Sequence, residues 1–293
     1  MKLLADDLVA LHRVATLAAT DAGRLIFDYA NKAVAVQHKS AGNSLASQVV
    51  TEVDLLSEAA ILKRLRPACE QYDLALLSEE SEDDRSRLEK DYFWSVDPLD
   101  GTLSFINTTP GYAVSIALVS RAGVPLIGVV YDPVTRTCYS SVQGQGVSRN
   151  GEAWAPPVNA PMAGKVLTLV CDRSLLQRHE YPETRRKIEI LGEKLGLAGV
   201  KTIENEAGAV MNACCVIENS PACYFKLPKK ETGGGCLWDF AATTAIFNEL
   251  NCIATDCYGQ PLELNRADSL YMNERGVLFA THAELATELS GYL

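Results

Sequence analysis

Two apolar runs rich in β-branched residues, Ala113–Val119 and Pro125–Tyr131, flank Arg121-Ala122-Gly123. This pattern predicts an antiparallel β-hairpin, and it constrains the fold more than any other feature of the chain. Thr137–Ser141 and a turn at Asn150-Gly151 continue the sheet. Helical periodicity comes first: Leu4, Leu8, Leu11, Ala15, Ala18, Ala22, Leu25 and Tyr29 recur at spacings of three and four. Asn31–Ser47 is polar and reads as a turn or loop. Thr51 or Asp54 is placed to cap a second helix, with Leu55, Ala59, Leu62 and Leu65 on one face and Pro67 ending it. Short strands are expected at Leu74–Leu77 and Phe93–Val96, separated by a charged loop over Ser78–Lys90. After the proline-rich Ala155–Gly164, strands at Val166–Val170, Ala222–Leu227 and Val277–Ala280 intermix with helices near Arg185–Leu195, Gly208–Ile217, Trp238–Leu250 and His282–Leu289. Helices and strands mixed in both halves, with hairpins, indicate an α+β (α/β layered) sandwich. The 293 residues suit a single unit of two lobes, about 1–157 and about 158–293.

Composition closes several routes. A net charge of −10 repels nucleic-acid phosphates, so no nucleic-acid partner is expected. The apolar runs fall far short of the roughly 20 residues of a membrane helix, so no membrane partner is expected either. Met1–Arg13 contains Asp6 and Asp7 and shows no export signal, which makes the cytoplasm the expected location. The nine cysteines include no C-x-x-C pair, the four histidines lie far apart, and reduced, mostly buried thiols are expected rather than a zinc site. Neither a G-x-S-x-G elbow nor a P-loop is present.

Three acidic spots remain: Ser78-Glu79-Glu80 after one strand, Asp97-Pro98-Leu99-Asp100-Gly101-Thr102 after the next, and Trp238-Asp239 at a helix start after three glycines. Each has a plain reading when taken alone, as a solvated acidic loop, a turn, and an N-cap. Two of them lie at the ends of expected strands, where sites in α/β sheets gather, and the three glycines before Asp239 permit close backbone approach. A turn at Pro98 can converge Asp97 and Asp100 and expose the Leu99 carbonyl, and Gly101-Thr102 can open a helix whose amides bind phosphate. Few carboxylates, with water and substrate phosphate completing the shell, are what Mg²⁺ takes.

These segments, with Val50-Thr51-Glu52-Val53-Asp54, Pro110–Leu118 and Gly128–Tyr131, resemble the inositol monophosphatase superfamily over nearly the whole chain. That superfamily includes 3'(2'),5'-bisphosphate nucleotidases and some fructose-1,6-bisphosphatases. The resemblance implies an αβαβα sandwich and a Mg²⁺-dependent, Li⁺-sensitive phosphatase with two or three ions. Carried over by position, Glu79, Asp97 and the Leu99 carbonyl would hold one ion, and Asp97, Asp100 and Asp239 a second. A third ion would involve Glu79 and water. Gly101 and Thr102 would contact the substrate phosphate, Thr102 and Asp54 would orient the attacking water, and Glu80 would assist. The resemblance also allows a homodimer.

The partner implied is a small phosphorylated metabolite, with inositol monophosphate or a similar polyol or sugar phosphate placed first. A 3'-phosphoadenosine 5'-phosphate phosphatase, a fructose-1,6-bisphosphatase and a catalytically silent scaffold stand as alternatives. Leu103 occupies the place where bisphosphate nucleotidases usually carry a basic residue. Where inositol phosphatases usually have a ring-binding glutamate, this chain has Lys226, Lys229 and Lys230 nearby. Those lysines read either as a solvated loop or as attraction for a second phosphate.

Overall fold

The computed structural model describes residues 2–30, 36–38, 49–158 and 160–292. The chain begins with α1 (Ala5–Tyr29), β1 (Val36–His38), β2 (Val49–Thr51), α2 (Glu52–Tyr72), β3 (Ala75–Ser78), β4 (Tyr92–Asp100) and α3 (Thr102–Ile106). Strands β5 (Ala113–Ser120), β6 (Pro125–Asp132), β7 (Thr137–Val142), β8 (Gly146–Arg149) and β9 (Glu152–Ala153) follow. The remainder comprises β10 (Val166–Cys171), α4 (Arg173–Leu176), α5 (Tyr181–Lys194), β11 (Gly199–Glu204), α6 (Ala209–Glu218), β12 (Ala222–Lys226), α7 (Leu237–Glu249), β13 (Ile253–Thr255), β14 (Val277–Ala280) and α8 (Ala283–Ser290).

Seven strands form one sheet in the order β3-β4-β5-β6-β7-β8-β9, and five form a second in the order β11-β10-β12-β14-β13. The expected hairpin is β5–β6, antiparallel. Helices α1 and α2 cover one face of the large sheet, and α7 lies on the other against β4–β8. Helix α6 joins α7 in this middle layer and packs on β10, β12 and β14, while α5 and α8 cover the outer face of the small sheet. The result is the αβαβα sandwich. Its apolar mass divides accordingly into a cluster under α1 and α2, a central one around α6 and α7, and an outer one under α5 and α8.

The structure corrects several expectations. Helix α2 does not stop at Pro67; it runs to Tyr72, because Leu65 and Ala68 bury on either side of the proline and Asp73, at φ 50°, ends it. Packing of that face outweighs the lost backbone hydrogen bond. The buried face of α2 keeps Leu62 and Leu65 of the expected one but not its other two members. Leu55 and Ala59 are exposed, while Val53, Asp54, Ser57, Glu58, Ile61 and Leu62 point inward. Of the polar segment Asn31–Ser47, residues 36–38 pair with β2 as a strand, and the rest lies outside the described residues. Asp97-Pro98-Leu99-Asp100 is not a free turn. It is the end of β4, with a register shift against β5 between Asp97 and Asp100. A bulge tolerates the proline and re-aims side chains there. Strands β11 and β13 had no periodic signal strong enough to read.

Candidate active site

The β4 bulge presents Asp97 and Asp100, and α7 presents Asp239 from its first turn. Carboxylate oxygens of all three lie within 4.8 Å of one another. Each is oriented by its own local backbone. Asp97 accepts from the Leu99 amide (3.0 Å). Asp239 accepts from the Cys236 amide (2.7 Å) at the N-terminus of α7. Asp100 accepts the Ala209 and Val210 amides (3.2 and 2.8 Å) at the start of α6. This last contact requires Gly208, where a Cβ would stand 2.1 Å from Asp100 Oδ2.

The three acids crowd one another. Burial, Glu79, Asp100 and Asp239 push the Asp97 carboxyl well above its ordinary value. Burial and Asp239 do the same to Asp100, against the pull of the Val210 amide and Lys226. Like charges in a dry site disfavour ionisation unless a cation compensates them. This donor set, all hard oxygens converging on one point, fits a divalent cation such as Mg²⁺.

Around the triad stand the other expected residues. Glu79 and Glu80 are half-buried in the turn after β3, and the Glu79 amide donates to Val96 (3.1 Å). Glu79 falls outside the 4.8 Å triad, yet its charge raises Asp54, Asp97 and Asp100 alike. Thr102 Oγ1 lies 3.1 Å from Asp54 Oδ1 and 3.2 Å from the Leu99 carbonyl. Asp54 is the third residue of α2 and also receives the Thr51 amide (2.8 Å); burial raises its carboxyl despite these donors. Gly101, at φ 84°, caps α3. Ser57 Oγ donates to the Pro98 carbonyl (2.7 Å), tying α2 to the bulge.

The three lysines separate. Lys226 ends β12 and pairs with Asp172 (2.6 Å). Lys229 is half-buried and faces a cavity, and Lys230 is exposed. Nothing in the sequence pattern marks Asp172, the Ala209 and Val210 amides or Ser57. Only Gly208, just before an apolar helical run, offered a signal.

The sequence model of the Inositol monophosphatase family matches residues 7–292. The chain belongs to the inositol monophosphatase family. Its members are generally phosphatases that use Mg²⁺. This family member is 28% identical over 289 residues to an inositol-1-monophosphatase of Synechocystis, covering 97% of this chain and 89% of the relative. It is 28% identical over 280 residues to the Nus factor SuhB of Escherichia coli, covering 96% of this chain and 97% of that one. The solved inositol monophosphatase of Anabaena superposes with a TM-score of 0.69 at 22% identity, covering 98% of this chain and 95% of that one. That likeness shows the shared fold. No helix among the described residues is long and apolar enough to cross a membrane.

Proposed function

We propose that this family member is a Mg²⁺-dependent phosphomonoesterase acting on a small phosphorylated polyol, sugar or nucleoside. The observation that carries the reading is the convergence of Asp97, Asp100 and Asp239, from two distant segments, within 4.8 Å. In this reading Glu79, Asp97 and the Leu99 carbonyl would hold one Mg²⁺, and Asp97, Asp100 and Asp239 would hold another. Bound Mg²⁺ supplies a lowered pKa to water and charge stabilisation at the leaving oxygen. The chain's own groups do the positioning. Thr102 Oγ1, fixed between Asp54 and the Leu99 carbonyl, aligns the attacking water and hands a proton toward Asp54. The amides of Gly101 and Thr102 receive the substrate phosphate, and Glu80 assists from the β3 turn. Family membership and the Synechocystis relative support the phosphatase class. Li⁺ at millimolar concentrations is expected to inhibit.

The test is phosphate release from inositol 1-phosphate, 3'-phosphoadenosine 5'-phosphate and fructose 1,6-bisphosphate, with and without Mg²⁺. Release that depends on Mg²⁺ and stops with chelator supports the reading. Release indifferent to chelator, or none from any of the three, overturns it.

A further inference from the structure

Helix α2 turns three polar residues inward. Asp54, Ser57 and Glu58, spaced i, i+3 and i+4, share one side of the helix. They are 1%, 0% and 8% exposed. Buried polar groups are held by partners, and each of these three finds its partner on a different segment of the site. Asp54 accepts from Thr102 at the start of α3 (3.1 Å). Ser57 donates to the Pro98 carbonyl in the β4 bulge (2.7 Å). Glu58 accepts from the Ser81 hydroxyl (3.0 Å), just past Glu79 and Glu80.

The Ser57 contact reaches furthest. The ladder pairs Asp97 with Ser115 and Asp100 with Ala113, so Pro98 and Leu99 together stand opposite the single residue Val114. In this bulge the Pro98 carbonyl takes the Ser57 hydroxyl. That carbonyl and the Leu99 N–H belong to one planar peptide group, so fixing one fixes the other. The Leu99 N–H donates to Asp97 Oδ1 (3.0 Å). Ser57 is therefore joined to the Asp97 carboxylate through one rigid unit, and its hydroxyl polarises that peptide in the sense that strengthens the donor.

Glu58 acts on the neighbouring segment. The Ser81 amide closes a four-residue turn onto the Ser78 carbonyl (3.3 Å), with Glu79 and Glu80 at its centre. The Glu79 amide on the Val96 carbonyl holds the near end of that turn, and Glu58 holds the far end through the Ser81 side chain. Carboxylates gathered for a cation repel one another, so their geometry has to be imposed by the scaffold behind them.

We propose that this polar face of α2 is the template of the cation site, with Ser57 the positioning residue for Asp97 and Glu58 the positioning residue for the Glu79-Glu80 turn, so that both set the affinity for Mg²⁺. The proposal rests on the Mg²⁺ reading of the triad. Its test is calorimetric titration with Mg²⁺, well below the unfolding temperature of each chelator-treated variant. Ser57→Ala should raise the Mg²⁺ dissociation constant about tenfold or more. Ser57→Thr, which keeps a hydroxyl, should recover most of that loss. Ser81→Ala, which removes the Glu58 contact from its exposed end, should weaken Mg²⁺ about threefold or more. Ser140→Ala is the control. It removes a buried hydroxyl from the Ser140–Ser148 contact (2.8 Å) between β7 and β8, and should lower the unfolding temperature while leaving Mg²⁺ affinity unchanged. Should Ser57→Ala not fold, Ser57→Cys, close in size but with a feeble S–H donor, is judged by the same criterion. Wild-type Mg²⁺ affinity in the Ser57 and Ser81 variants, or an equal loss in Ser140→Ala, overturns the proposal and leaves the metal reading standing. A wild type that binds no Mg²⁺ overturns both.

Discussion

Asp97 and Asp172 are both buried aspartates, and their environments drive them in opposite directions. Asp97 faces other carboxylates and is raised. A group raised on folding contributes stability below its unfolded pKa and loses it as pH rises through the folded value. At neutral pH the metal-free triad therefore works against the fold. Asp97→Asn should raise the melting temperature of chelator-treated protein at pH 7.5 and abolish the further rise that Mg²⁺ gives the wild type. The same substitution, and Asp239→Asn, should lower phosphate release by at least about 10²–10³-fold. Near-wild-type turnover in either variant would contradict the metal assignment. Asp172 carries the opposite sign. Burial opposes its charge, but Lys226, Ser174 and the Leu175 amide bring its carboxyl down to about 2. Its stabilisation is complete above an unfolded pKa of about 4 and is lost as pH falls toward about 2. Asp172→Asn should cost about 2 kcal/mol in urea unfolding at pH 7. The gap to wild type should close as the pH is lowered through 4 toward 2, and a gap that is constant with pH would refute the linkage.

Among the elements, α7 and β6 show how closely the layers must approach. A Cβ on Gly128 would stand 2.2 Å from the Ala242 carbonyl and 2.9 Å from Ala245 Cβ, so only glycine lets α7 settle on the sheet. Gly128→Ala should cost about 1–3 kcal/mol in unfolding. Because α7 carries Asp239, phosphate release should fall too, and an unchanged activity would show that α7 tolerates displacement without disturbing the triad. Helix α2 shows where periodicity misleads. Its apolar spacing marks Leu55 and Ala59, but the inward face is shared with Asp54, Ser57 and Glu58. Those three polar residues are buried because Thr102, the Pro98 carbonyl and Ser81 wait for them across the interface. Likewise, the charged stretch Ser78–Lys90 is not simply solvated. Arg87 buries within it, paired to Asp83 (3.0 Å) and donating to Asn265 and the Arg266 carbonyl.

For the whole molecule, the nine cysteines behave as core. None is joined in a disulfide, seven are buried, and Cys69 and Cys215 are half-buried. Burial pushes the Cys171 and Cys138 thiols up to about 11 and those of Cys252 and Cys257 up to about 12. Folded protein at pH 7 should therefore react slowly with dithionitrobenzoate, with Cys69 and Cys215 first. All nine should appear only in denaturant, and rapid titration of more than two in native buffer would contradict the packing. The alternation of helices and strands, the β5–β6 hairpin and the three acidic segments were legible in the sequence alone, because each is a local pattern of spacing and turn chemistry. The meeting of Asp239 with Asp97 and Asp100 was implied by family resemblance but by no local pattern, and the α6 amides on Asp100 and the division of Lys226 from Lys229 were decided only by the tertiary structure. The reason is physical: a side chain's period tells which way it faces on its own element, whereas its partner is chosen by packing between elements far apart in the chain.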